Sequence, residues 1–226
     1  MPGLAVGLHL VLVEGQAVLP QPRIPDLVDA SGQFPSGQLA LGFRYFFQPG
    51  IRAQLRAEIA AQFQAFAATG LSLDHADAHK HMHLHPTVGR LMIEACLAHG
   101  LRALRVPAEP VSVMAQLGAS PTPGARAMQL WSRVLRHQAR RAGLATTDQV
   151  FGLAWSGGMT EARVLQLAEL LPPGVSEIYF HPAHGTDPLL QRLMPGYDHQ
   201  AELDALCSPR VRAAFSDVDQ LAYGDL

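Results

Sequence analysis

Short apolar runs and amphipathic helical segments alternate about five times along the 226 residues, and that alternation leaves few folds open. Leu4 to Val13 reads as a strand, with Gly7 and His9 on one face and Leu8 and Leu10 on the other. Residues 14–50 are rich in proline and glycine and read as a long irregular excursion, of the kind that forms a lid or a substrate wall. Ile51 to Thr69 is then a helix, striped by Ile51, Leu55, Ile59, Phe63 and Phe66 and stopped by Gly70.

Further segments repeat the pattern. Leu71 to His79 reads as a strand, and His85-Pro86 opens a helix that ends at His99-Gly100. Leu101 to Val106 is the next strand, and Ala125 to Ala142 a helix stopped by Gly143. Val150 to Ala154, Ser176 to His181 and the helices Thr160 to Leu171 and Asp198 to Leu206 complete the series, before a short helix opened by Ser208-Pro209. With no internal repeat and no linker, the pattern implies one domain over residues 1–226, built on a parallel sheet or a (β/α) barrel. In either architecture ligands sit at the carboxyl ends of the strands.

Composition removes several function classes. A net charge of -2 carries no broad footprint for nucleic acid. Cys96 and Cys207 form no CxxC pair, so neither a disulfide framework nor a zinc ribbon is expected, and a reducing cytoplasm is the expected compartment. The apolar run Leu8 to Val13 is interrupted by His9 and is far too short to span a bilayer.

Histidine is the unusual residue. Of eleven in the chain, five (His75, His79, His81, His83 and His85) fall within eleven positions. Three strands end near a histidine: His9, His79 and His181. A period of two places His75, Asp77 and His79 on one face of their strand. Two neutral imidazoles and a carboxylate make an open site for a catalytic divalent ion. Each histidine taken alone is as readily a hydrogen-bonded core residue or a loop residue, and a histidine tract alone is as readily a solvated loop.

Gly7-Leu8-His9-Leu10, then Leu73-Asp74-His75-Ala76-Asp77-Ala78-His79-Lys80-His81-Met82-His83, then His181-Pro182, resemble the YdjC/ChbG family of carbohydrate deacetylases. The stretches Val11-Leu12-Val13-Glu14-Gly15, Ile24-Pro25-Asp26-Leu27-Val28-Asp29 and Gly32-Gln33-Phe34-Pro35 look most like its hopanoid-biosynthesis branch, HpnK. The resemblance implies a distorted (β/α) barrel that removes acetyl groups from N-acetylated sugars with one divalent metal ion, Zn or Mg. It places His9 and His79 on the metal, and leads to a sugar or glycolipid substrate such as a hopanoid-linked N-acetylglucosamine.

In the family an aspartate completes the metal set and a second acts as base, both from an N-terminal N-A-D-D-F-G motif. That motif has no counterpart here, so the resemblance leads to an N-terminally truncated form with reduced activity, and to an open strand edge that invites dimerisation. Asp77 is then expected to orient a ligand histidine rather than to bind metal, with a structural salt bridge as its alternative role. His181 is the candidate general acid, since amide hydrolysis must protonate a poor leaving amine; a histidine that only bonds a loop carbonyl is the alternative. His81, His83 and His85 are expected at the pocket rim or on the sugar.

The helix Ala125 to Ala142 puts Met128, Trp131 and Leu135 on one face and carries Arg126, Arg133, Arg136, Arg140 and Arg141. Its ordinary reading is a barrel helix with arginines in water; the second is peripheral contact with an anionic membrane. Two rival functions stand beside the deacetylase. One is an amidohydrolase-like enzyme, disfavoured because Asp187 does not end a strand. The other is a non-catalytic remnant that binds metal or sugar.

Overall fold

The first apolar run becomes β1 (Val6–Leu10), which pairs in parallel with β2 (Leu73–Ala78) in the computed structural model. The structure describes residues 4–119, 122–185 and 187–226. Two more parallel segments follow without forming full strands: Leu104 bridges to Ala76, and Ala103 bridges to Ala145. The amide of Arg105 donates to the Ala76 carbonyl at 3.0 Å and that of Leu104 to Ala145 at 3.0 Å. The chain is therefore an α/β fold, and this run of parallel neighbours is compatible with a barrel wall.

The chain divides into two compact units: Met1–Val106, Leu130–Thr146 and Leu221–Leu226 make the first, Pro107–Gln129 and Thr147–Gln220 the second. In the first unit α2 (Pro49–Ala67) packs on β1, α1 (Gln38–Phe47) and α3 (Pro86–Ala98) pack on α2, and α5 (Pro123–Arg141), from Leu130 onward, meets α3. The helix α4 (Val111–Gln116) belongs to the second unit. There β3 (Gln149–Phe151) pairs in parallel with β4 (Ser176–Ile178). Around them lie α6 (Glu161–Glu169), α7 (Pro188–Leu193), α8 (His199–Cys207) and α9 (Pro209–Ala214). The core of this unit is Met114, Phe151, Met159, Val164, Leu167 and Ala205.

The predicted excursion over residues 14–50 contains a helix, α1, whose Tyr45 is buried and donates its hydroxyl to the Leu12 carbonyl at 3.1 Å. Nor does the first strand reach Val13. Its ladder stops at Leu10 because both backbone groups of Val11 are taken by the Gln62 side chain, at 2.9 and 2.7 Å. The α5 face also differs from expectation: Ser132, Leu135 and Ala139 turn inward, while Trp131 stands exposed.

On α2 the stripe Ile51, Leu55, Ile59 and Phe63 is buried as its spacing predicts, each side chain contributing roughly 1.5–3 kcal/mol by burial. Two polar residues share that buried face. Glu58 accepts from the amides of Val18 and Leu19, each at 2.9 Å, and from Gln62 at 2.9 Å. The α2 helix thus supplies hydrogen-bond partners for the irregular chain that leaves β1, which no strand could satisfy.

Removing Glu58 strands those amides. Glu58→Ala is expected to destabilise the chain by about 2–4 kcal/mol in urea denaturation, whereas Gln64→Ala on the exposed face of α2 should change stability by less than about 0.5 kcal/mol.

Candidate functional site

His9 and Asp77 are register partners across the β1–β2 pair, so they lie side by side near the carboxyl ends of both strands. The His9 Nδ1 and Asp77 Oδ1 are 2.8 Å apart. Gly7, two residues earlier, leaves room for the His75 ring: a Cβ there would lie 2.4 Å from His75 Nε2. His75 itself turns to Asp74, at 2.9 Å, and stacks on Tyr223.

The other Asp77 oxygen accepts from the Arg105 guanidinium, which follows the next parallel segment. Burial pushes the Asp77 carboxyl up, but the hydrogen bond from His9 and the charge of Arg105 outweigh it and bring the pKa down to about 2. An ionised Asp77 can only accept, so the His9 Nδ1 bears a proton, and the neutral imidazole would present its lone pair on Nε2.

That lone pair faces His79. His9 Nε2 and His79 Nδ1 are 3.4 Å apart, with the rings nearly perpendicular. Two imidazole nitrogens on a tetrahedral divalent ion, each at about 2.1 Å, are separated by about 3.4 Å. The pair therefore fits two corners of a metal site, and Asp77 stands where a carboxylate fixes the orientation of a ligand histidine. Burial, then the proximity of His9 and Lys80, lowers the His79 pKa and favours the neutral form that a ligand needs. Among the described residues no group of three histidine, cysteine or acidic side chains gathers to hold an ion.

His79 is aimed by a strained turn. Lys80 and His81 both take left-handed backbone, with φ of 49° and 54°. Glu14, beyond β1, is left-handed too, with φ of 49°, and its carboxylate pairs with Lys80 Nζ at 2.5 Å. Each such residue costs on the order of 1–3 kcal/mol, and strain of this kind gathers at functional sites. The Gln38 side chain of α1 donates to the Lys80 carbonyl at 2.7 Å and helps hold the turn.

Of the other histidines in the tract, His83 departs from the expected rim, while His81 and His85 are half-buried. His83 is fully buried and its Nε2 lies 3.0 Å from the Arg105 carbonyl; burial brings its pKa to about 4. His81 is lowered to about 3, by burial and then by His83 and Arg105. His85 packs edge-on against Tyr45 and Phe46.

His181 belongs to the second unit and lies three residues past the end of β4. Its amide donates to the buried Glu202 of α8, which also accepts from the Met159 amide at 3.0 Å. Its carbonyl lies 2.5 Å from His199 Nδ1, and its ring stands edge-on to Tyr179 and Tyr197. His184 is exposed nearby. Sequence reasoning missed Arg105, Glu14, Lys80 and Glu202. The one available signal was an acidic residue on an otherwise apolar helix face, which Glu202 shares with Glu58.

Comparison with known proteins bears on this arrangement. The family model described as YdjC-like protein matches residues 1–217. A carbohydrate deacetylase of Geobacillus stearothermophilus is 27% identical over 218 residues, covering 96% of this chain and 73% of its own. A carbohydrate deacetylase of Mus musculus is 31% identical over 245 residues, covering 99% of this chain and 78% of its own. A crystal structure from Enterococcus faecalis, of a protein named for cellobiose-phosphate cleavage, superposes with a TM-score of 0.73 at 23% identity. It covers 99% of this chain and 78% of its own, and shows the likeness of fold.

A carboxyl held down to about 2 adds stability above its unfolded pKa, and that contribution is lost as pH falls through the folded value. Asp77→Asn should therefore cost about 2 kcal/mol at neutral pH, and the difference from the parent should shrink below about pH 4 in urea titrations.

Proposed function

This chain belongs to the YdjC-like family, and on that premise we propose that it is a hydrolase removing acetyl groups from N-acetylated amino sugars. The observation that carries the proposal is the 3.4 Å gap between His9 Nε2 and His79 Nδ1, with Asp77 behind His9. The family model matches residues 1–217 and so runs through both compact units, which supports reading residues 1–226 as one domain.

In this reading His9 and His79 would hold a divalent ion, Zn or Mg, with Asp77 fixing the tautomer and angle of His9. Such an ion would supply Lewis-acid polarisation of an acetyl carbonyl held beside the two imidazoles. Arg105 keeps Asp77 ionised, and the Glu14–Lys80 pair keeps His79 turned toward His9. His181, in the second unit, is the candidate general acid for the departing amine, its backbone fixed by Glu202 and His199. The resemblance of Ile24-Pro25-Asp26 and its neighbours to the hopanoid-associated branch supports an N-acetylglucosamine linked to a hopanoid as the substrate.

A second reading, binding of metal or sugar without turnover, is favoured by one observation: among the described residues no group of three histidine, cysteine or acidic side chains gathers to hold an ion. Acetate release from N-acetylglucosaminyl substrates, measured with added Zn or Mg, separates the two. Activity that depends on the ion supports the deacetylase; ion binding with no acetate released supports the second reading.

Replacing His9 or His79 by Ala should weaken metal binding at least about tenfold, or 1.4 kcal/mol, by calorimetry. His181→Ala should leave metal content unchanged and lower kcat by roughly 10²–10⁴. An unaltered kcat would transfer the proton-donor role to His184.

A further inference from the structure

Within α5, the stretch Leu130–Arg141 carries Arg133, Arg136, Arg140 and Arg141 with His137 and no acidic residue, in a chain whose net charge is -2. Its inward stripe is Ser132, Leu135 and Ala139, with Leu135 closing on Gly89 of α3. On the outer side stand three large apolar side chains: Leu130 is 61% exposed, Trp131 44% and Val134 38%.

A helix face that is only solvated keeps its large apolar residues inward and mixes charges of both signs. This face does neither. Arg133 and Arg141 make no ion pair among the described residues, and a shallow open groove runs between Arg133, Arg136, His137, Arg140 and Arg141. Arg140 is tied to the turn that follows, its Nε donating to Thr146 Oγ1 at 2.9 Å.

We propose that this outer face of α5 docks the protein on an anionic lipid surface. Leu130, Trp131 and Val134 enter the boundary between headgroups and acyl chains, where indole is the preferred side chain. Arg133 and Arg141 flank them with long apolar stems and guanidinium groups that reach lipid phosphates, singly or in bidentate pairs. Charge decides the occupant: Arg133 and Arg141, in a stretch that holds no carboxylate, complement an anionic surface, and the apolar row distinguishes it from a nucleic-acid face, which needs none. Attachment is peripheral, since among the described residues no helix is long and apolar enough to cross a membrane. The inference does not depend on the deacetylase reading.

The test is co-sedimentation of the full 226-residue chain with phosphatidylcholine vesicles, with and without phosphatidylserine. The chain should pellet with the phosphatidylserine vesicles, not with pure phosphatidylcholine, and less as salt rises. Each arginine adds roughly fivefold to partitioning, so Arg133→Gln with Arg141→Gln should weaken it more than about tenfold, and Arg133→Lys with Arg141→Lys should retain most of it. Trp131→Ala should weaken binding severalfold with unchanged thermal stability. Equal pelleting with both vesicle types, or no response to the arginine changes, overturns the proposal. Preference for duplex DNA over vesicles would reassign the face to nucleic acid. A concentration-dependent dimer abolished by Trp131→Ala would reassign it to self-association.

Discussion

The Asp77 carboxylate joins three consecutive parallel segments of the first unit. It sits on β2, receives a hydrogen bond from His9 on β1, and pairs with Arg105 past the Leu104 bridge. A buried carboxylate without partners would be strongly destabilising; with an imidazole and a guanidinium it becomes a fixed negative centre. The orientation of His9 follows from it, and so does the availability of the His9 Nε2 lone pair opposite His79. Structure and chemistry meet in this one side chain, because the same bond that aligns β1 with β2 determines which imidazole nitrogen faces outward.

Elsewhere the molecule uses buried or half-buried acids in a related way. Glu58 holds the amides of Val18 and Leu19, Glu202 those of Met159 and His181, and Glu109 those of Gly152, Leu153 and Ala154. Each collects backbone donors from irregular chain that leaves a strand or enters a helix. Loops at the carboxyl ends of parallel strands cannot satisfy their own amides, and a carboxylate is a strong acceptor for several at once. Rigid loops of this type can hold a histidine to within the tolerance that a reaction requires.

Much of this was legible in the sequence. The apolar stripe of α2, the period of two through Asp77 and the glycine stops marked the α/β alternation, because they depend on local periodicity. The pairing of His9 with Asp77 was legible only as a strand-end coincidence, since register is set by partners distant in sequence. Helix α1 was hidden by the prolines and glycines around it. The strand at Leu101 to Val106 shrank to bridges at Ala103 and Leu104, where pairing with two neighbours is brief. His83 resembled its rim-like neighbours in sequence, yet the left-handed turn at Lys80 and His81 drives it into the core. Arg105 carried no signal at all: an arginine after an apolar run reads as a surface residue until its carboxylate partner is known.

The central claim is that the His9–His79 gap is the metal centre of a carbohydrate deacetylase. The most direct measurement is an anomalous difference map at the zinc edge from crystals of the protein soaked with zinc. The account predicts a single peak lying about 2.1 Å from both His9 Nε2 and His79 Nδ1. A peak among His81, His83 and His85, or none at the His9–His79 gap, would contradict it.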